Sequence, residues 1–157
     1  MSDSTARRAT PDDVEGIHRL VEAAFGGYMD RIGREPAPMT ADYATLVDAE
    51  RVWVIDGAAE IVAVLVTQAC SDHLLLDVLA VAPTAQGAGH GGTLLRRADQ
   101  DARDQGLPEI RLCTNEAMTE NLEFYPRRGF HETGRGIQNG FHRVFFAKAV
   151  DAEGFNR

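Results

Sequence analysis

Three places in the sequence carry groups whose type and spacing could do chemistry. The first is the run Ala85-Gln86-Gly87-Ala88-Gly89-His90-Gly91-Gly92-Thr93-Leu94-Leu95, in which four glycines lead straight into leucines. Bare amides where a strand hands over to a helix, reinforced by the partial positive charge of the helix N-terminus, suit an anion, and a phosphate is the natural visitor. The plainer alternative is a flexible turn whose glycines ease helix packing. The second place is Asp77, which interrupts Leu74-Leu75-Leu76-Asp77-Val78-Leu79. A carboxylate in an apolar strand is costly unless it is paired or faces a wet cavity. Alternation puts Asp77 on one face with Leu75, Leu79 and Val81, where partial burial would raise its pKa toward that of a base working near neutrality. A structural ion pair or a sheet-edge position is the other reading. The third place is the pair Asn121 and Tyr125, four residues apart and therefore on one side of a continuous helix. An interface tyrosine and an asparagine that only ends a turn are the plainer readings there.

Other reactive residues have weaker patterns. The five histidines show no metal-ligand spacing, so no metal is expected. His90 is expected to turn to solvent, and His73 at a strand start is a poorer base than Asp77. Cys70 and Cys113 sit in apolar, strand-like surroundings without a CxxC pair and are expected as buried free thiols. Arg96, Arg97, Arg127 and Arg128 read as solvated surface. Gly87-Ala88-Gly89-His90-Gly91-Gly92 satisfies GxGxxG literally. A dinucleotide fingerprint, however, follows its strand almost at once, whereas Ala82-Pro83-Thr84-Ala85-Gln86 intervenes here. A P-loop is excluded because no Gly-Lys-Ser/Thr closes the run.

The elements that must hold these groups can be read in order. "STARRAT" is a short possible strand, and Thr10-Pro11-Asp12-Asp13 reads as cap, proline at the first helical position and an acid three residues after the cap. Val14, Ile17, Val21, Ala24 and Phe25 then repeat at helical spacing until Gly26-Gly27. "YMDRIGREPAPMT" reads as a loop able to cover a pocket, after which Thr40 is expected to cap a short helix through "ADYATLVDA". "RVWVID", "EIVAVLVTQA" and "HLLLDVLAV" follow as closely spaced, hence antiparallel, strands. The glycine run opens a helix that Gly106 ends, so the strand "EIRLCT" lies parallel to the one before it. "AMTENLEFY" reads as a helix, although Pro126 ends it near Tyr125 and biases that residue away from helical angles. "GFHETGR" and "FHRVFFAKAV" flank Asn139-Gly140 as a hairpin. The sum is an α/β (α+β) fold: a mixed, mostly antiparallel sheet of about seven strands with four helices.

With 157 residues the chain is expected to form a single domain, residues 1–157, able to bury its own core. Hydrophobic residues make up 44% and charged residues 25%, the balance of a soluble globular protein. No segment approaches the roughly 18 apolar residues that would span a bilayer, and Met1 to Arg8 lacks an apolar leader, so no membrane partner and a cytoplasmic location are expected. The 24 acidic and 16 basic residues give a formal charge of −8, which disfavours a nucleic-acid partner and suits a cationic substrate, unless the charge serves solubility alone.

The glycine run matches the Q/R-x-x-G-x-G/A pattern as Gln86-Gly87-Ala88-Gly89-His90-Gly91. Through "LLLDVLAVAPTAQGAGHGGTLL" and "TNEAMTENLEFYPRRGF" the chain resembles the GNAT family of acetyl-CoA-dependent N-acetyltransferases over nearly its whole length. The resemblance implies a GNAT-like acyl-CoA N-acyltransferase fold with acetyl-CoA as acyl donor. By position, the main chain of Gln86, Gly87, Ala88, Gly89, His90 and Gly91 would cradle the pyrophosphate. Leu79, Ala80 and Val81 would offer strand-like hydrogen bonds to the pantetheine arm, where the family's fourth and fifth strands splay apart. Asn121 would bond that arm or fix the tyrosine. Tyr125 resembles the family's proton donor to the departing thiolate, and Asp77 the acid that draws the amine proton, often through water. The segment carrying Tyr28, Met29, Arg31 and Met39 corresponds to the acceptor side. The implied acceptor is a primary amine of a small molecule, a polyamine, an amino acid or a protein, and the implied self-partner is a homodimer. The competing class is a degenerate acyl-CoA sensor that binds without turnover, and a nucleotide-binding oxidoreductase stands third.

Overall fold

Each run of alternating or helically spaced apolar residues becomes its element in the computed structural model, which describes residues 5–150. The polar start Met1-Ser2-Asp3 lies outside the described residues. β1 (Ala6–Arg8) leads through a 3-10 turn at Pro11–Asp13 into α1 (Val14–Phe25), which buries Ile17, Leu20, Val21 and Phe25. Asp13 accepts the Thr10 amide at 2.8 Å, and Arg7 bridges the carboxylates of Asp13 (2.9 Å) and Asp56 (2.6 Å). The segment expected as loop contains one helical turn, α2 (Met29–Ile32), closed by Gly33 at φ 84°, and a 3-10 turn at Ala37–Thr40. α3 (Tyr43–Asp48) follows, and its cap is Asp42, which accepts the Thr45 amide at 3.2 Å. Thr40 lies too far upstream of the first turn and bonds back to the Ala37 carbonyl at 3.0 Å instead.

β2 (Val52–Asp56), β3 (Ile61–Ala69), β4 (Leu74–Val81), α4 (His90–Asp104), β5 (Glu109–Asn115), α5 (Thr119–Phe124), β6 (His131–Gln138) and β7 (Phe141–Ala149) complete the chain. The seven strands form one open sheet in the order β1-β2-β3-β4-β5-β7-β6. β4 and β5 run parallel, while β1–β2, β2–β3, β5–β7 and β6–β7 are antiparallel. The last strand lies inside and the penultimate one at the edge for a compositional reason. β7 carries Phe141, Val144 and Phe146 into the core, whereas every residue of β6 but the half-buried Gly134 is exposed. Asn139 (φ 53°) and Gly140 (φ 81°) supply the two left-handed residues of the tight turn between them.

Packing divides the chain into two units, one holding the residues up to Thr67 with Val78–Arg97, the other Gln68–Asp77 with Ala98 onward. The first is cored by α1, α3, β2 and β3 through Ile17, Tyr43, Val54 and Val64. In the second, Ala98 and Ala102 of α4 and Tyr125 and Phe130 join Leu74, Ile110 and Phe146 among the buried residues. Among the described residues no helix is long and apolar enough to cross a membrane.

Candidate active site

The glycine run alternates its backbone conformation between the end of β4 and the start of α4. After the 3-10 turn Pro83–Ala85, Gln86 is extended, and Gly87 (φ 90°) and Gly89 (φ 86°) flank an Ala88 whose φ is negative. Alternating signs of φ turn successive amides toward one point, the nest geometry that binds anions. The first intrahelical bond of α4 runs from the Thr93 amide to the Gly89 carbonyl at 3.0 Å, so the amides just before Thr93 have no acceptor inside the helix. A Cβ built on Gly87 or Gly89 meets nothing within 4 Å, so these glycines answer to backbone conformation and leave open space above them. Gln86, Gly87, Ala88 and Gly89 are exposed and Gly91 is buried. His90 departs from the expected solvent-facing position: it is half-buried, and its Nδ1 is enclosed without a hydrogen bond.

β4 presents a main-chain edge next to this loop in the chain. Its ladder with β5 holds two pairs, Leu74↔Ile110 and Leu75↔Arg111, and β4 runs on to Val81 beyond them. Among the described residues no pairing of Leu79, Ala80 or Val81 with β5 is found. The Val81 carbonyl is engaged by the Gln86 side-chain amide at 3.4 Å, which ties the loop to the end of the strand.

Asn121 and Tyr125 sit on and just after α5. The Asn121 side-chain amide donates to the Thr114 hydroxyl of β5 at 3.0 Å, and its main-chain carbonyl accepts the Tyr125 amide at 3.2 Å. Tyr125 keeps helical angles (φ −71°, ψ −43°) despite Pro126, because the proline takes the first position of a 3-10 turn where no amide is needed. Its ring is buried among Phe124, Phe130 and Phe146, with centroids 5.1, 5.5 and 6.0 Å away. Burial holds the phenol well above its ordinary pKa, so it stays protonated, the form a proton donor needs.

Asp77 occupies the expected face but is exposed rather than partly buried. Alternation fixes a side chain's face, whereas the cover over that face comes from elsewhere in the chain. Cys113 shares this face and is half-buried rather than buried. Burial pushes its thiol pKa up, the Arg143 guanidinium beside it pulls the other way, and Asp77 adds to the rise. His73 is paired with Asp72 at 2.8 Å. Arg127 and Arg128 are the solvated helix end expected, but Arg97 lies over the Trp53 ring at 4.5 Å. The early segment is anchored by Tyr43, whose hydroxyl donates to the Pro38 carbonyl at 2.6 Å, and Arg31 stacks on Tyr28 at 4.8 Å. Arg143 was missed in the sequence, although a charge between Phe141 and Phe145 is the same kind of signal that marked Asp77.

Solved structures share this architecture. A protein described as an acetyltransferase of the GNAT family from Desulfovibrio desulfuricans superposes with a TM-score of 0.75 at 22% identity, covering 94% of this chain and 99% of that one. The PaiA N-acetyltransferase of Thermoplasma acidophilum, solved with coenzyme A, gives 0.76 at 14% identity over 92% and 97%. A ribosomal-protein-alanine N-acetyltransferase from Escherichia coli gives 0.73 at 18% over 98% and 99%. No curated protein matches the sequence. The family model for the acetyltransferase (GNAT) domain matches residues 48–132, from the end of α3 through the glycine loop and Tyr125 into β6, and the chain therefore belongs to the GNAT acetyltransferase family.

Proposed function

We propose that this protein transfers an acetyl group from acetyl-CoA directly to a primary amine, the whole chain serving as one catalytic domain in a cytoplasmic setting. The observation that carries the reading is the nest at the head of α4: left-handed Gly87 and Gly89, open space above both, and helix-terminal amides with no acceptor inside the helix. These features suit a pyrophosphate, and the open edge of β4 suits an amide-bearing arm that pairs like a strand. Acetyl-CoA would supply the thioester-activated acetyl group. In this reading the amides of Gln86 to Gly91 hold the pyrophosphate, and Leu79, Ala80 and Val81 bind the pantetheine through main-chain groups. Asn121, its side-chain amide held on the Thr114 hydroxyl, bonds the pantetheine arm or helps fix Tyr125 one turn on. Asp77 takes the amine proton, and Tyr125 holds a proton at its hydroxyl for the leaving sulfur. Asp77 and Tyr125 belong to opposite faces of the sheet: Asp77 lies on the face of Cys113, while Tyr125 packs on Phe146, the cross-strand partner of Leu112. Both must serve one carbon, because the amine nitrogen and the sulfur are bonded to it together in the tetrahedral intermediate; Asp77, on the far face, therefore draws its proton through water.

The test is calorimetry with acetyl-CoA and CoA, followed by CoA release across an amine panel. Heat at sub-millimolar concentrations with amine-dependent release is expected. Binding without release from any amine would favour the sensor, and no heat would reject the cradle.

A further inference from the structure

Arg143 is a charged residue beside an aromatic ring, and among the described residues it has no anion to hold. It lies on β7 opposite Asn115, and its Cζ sits 4.9 Å from the Phe141 ring centroid. Its Nε is enclosed without a hydrogen bond, and among the described residues its guanidinium meets no carboxylate or carbonyl. Its polar neighbour is the Cys113 sulfur, a weak acceptor. Other arginines of the same unit are satisfied: Arg111 pairs with Glu109 and Asp72, and Arg135 with Glu132. The guanidinium is half-buried without an oxygen acceptor among the described residues, an unfavourable arrangement that an anion on its terminal Nη groups relieves, the enclosed Nε being out of reach.

The register shows which side of the sheet that anion must reach. Cross-strand partners share a face, so Asn115↔Arg143 and Cys113↔Phe145 place Arg143 on the Cys113 face. In the parallel pair Leu75↔Arg111, the residues two further on, Asp77 and Cys113, share that face as well. Arg143 and Asp77 both act on the Cys113 thiol, from opposite signs of charge. An amine whose proton passes to Asp77 therefore lies on the same face of the sheet as this cation.

We propose that Arg143 binds a carboxylate of the acceptor, so that the acceptor is a free amino acid rather than a polyamine or simple alkylamine. This rests on the acetyltransferase reading with Asp77 on the acceptor side. A planar guanidinium receives a carboxylate through two parallel N–H donors, and Arg143 then acts as a specificity-determining residue, without moving a proton.

The experiment measures CoA release with free amino acids against the corresponding amino-acid amides and alkylamines, with acetyl-CoA affinity followed by calorimetry in every variant. Wild type should favour a free amino acid over its amide by about 30-fold in kcat/KM, the scale of a charged hydrogen-bonded pair. Arg143→Gln should abolish that preference by raising KM for the acid far more than for the amide, leaving acetyl-CoA affinity unchanged. Arg143→Lys, which keeps the charge and most of the packing, should retain part of the preference and serves if the glutamine variant does not fold. Amides or alkylamines used as well as acids by wild type, no acceptor in any set despite acetyl-CoA binding, or a preference that survives Arg143→Gln would overturn the proposal while leaving acetyl-CoA recognition intact. Absence of acetyl-CoA heat in wild type would instead reject the reading beneath it.

Discussion

A tyrosine is a useful acid only while it keeps its proton, and the rings around Tyr125 see to that. Burial raises the phenol above its ordinary value of 10.0, so the protonated form persists through and beyond that pH. The kcat profile of the wild type should show no fall near pH 10 attributable to this residue; a descending limb there, absent from Tyr125→Phe, would contradict its assignment. Tyr125→Phe itself should lower kcat by about 100-fold while acetyl-CoA affinity stays within about twofold, since a proton donor acts in the transition state and adds little to ground-state binding. Equal losses in kcat and affinity would make Tyr125 a packing residue. At this scale the sequence was legible wherever spacing decided the matter, as with the four-residue step from Asn121 to Tyr125 and the glycines of the loop. Exposure of Asp77 and enclosure of His90 Nδ1 were not legible, because both depend on what distant chain covers them. Arg143 gains meaning only from pairing β7 with β5, a contact that no local pattern announces.

Elements form where their ends are satisfied, and two ends offer tests. Asp13 closes the start of α1 while accepting from Arg7, and that hydrogen bond, with the Thr10 amide assisting, lowers its pKa from 3.8 to about 2. A carboxyl depressed in the folded state stabilises fully above its unfolded pKa and loses that contribution as pH falls through the folded one. Asp13→Asn should therefore cost about 1–2 kcal/mol at neutral pH. The difference between variant and wild type should shrink as pH falls from 3.8 toward 2, as read by denaturant melts. A pH-independent difference would assign the loss to shape rather than charge. At the other end, Gly89 has a left-handed φ and nothing near its missing Cβ. Gly89→Ala should cost the fold only about 1–2 kcal/mol of backbone strain, whereas Gly89→Asp should also abolish acetyl-CoA binding by placing a carboxylate against the pyrophosphate. Retained affinity in Gly89→Asp would show that the loop is not the cradle. Element positions followed the periodicity of the sequence closely. Strand order did not, since nothing local says that the last strand enters beside β5, and the cap of α3 moved from Thr40 to Asp42 because helix starts are set by a one-residue choice among neighbouring polar side chains.

For the molecule as a whole, the formal charge of −8 works against a polyanionic ligand, so any grip on CoA must come from local groups that outweigh a repulsive long-range field. The two available kinds of local group respond to salt differently. Main-chain amides and a helix terminus are partial charges acting at contact distance, while exposed arginine side chains are full charges whose attraction for phosphates is screened as salt rises. If the amides dominate, raising salt from about 50 to about 300 mM should leave the acetyl-CoA dissociation constant within about twofold, or tighten it, because screening weakens the repulsion between an acidic protein and an acidic ligand. At a hundredfold excess over Kd, acetyl-CoA should then stabilise the fold by about 2.7 kcal/mol, a rise in Tm of roughly 5–10 °C for a chain of this size, and NADH should produce none. A tenfold loss of affinity over the same salt range would transfer the phosphate contacts to exposed arginines such as Arg96, Arg127 and Arg128. Gly89→Asp would then bind almost as well as wild type, so the salt series and the glycine variant must agree on which groups hold the ligand.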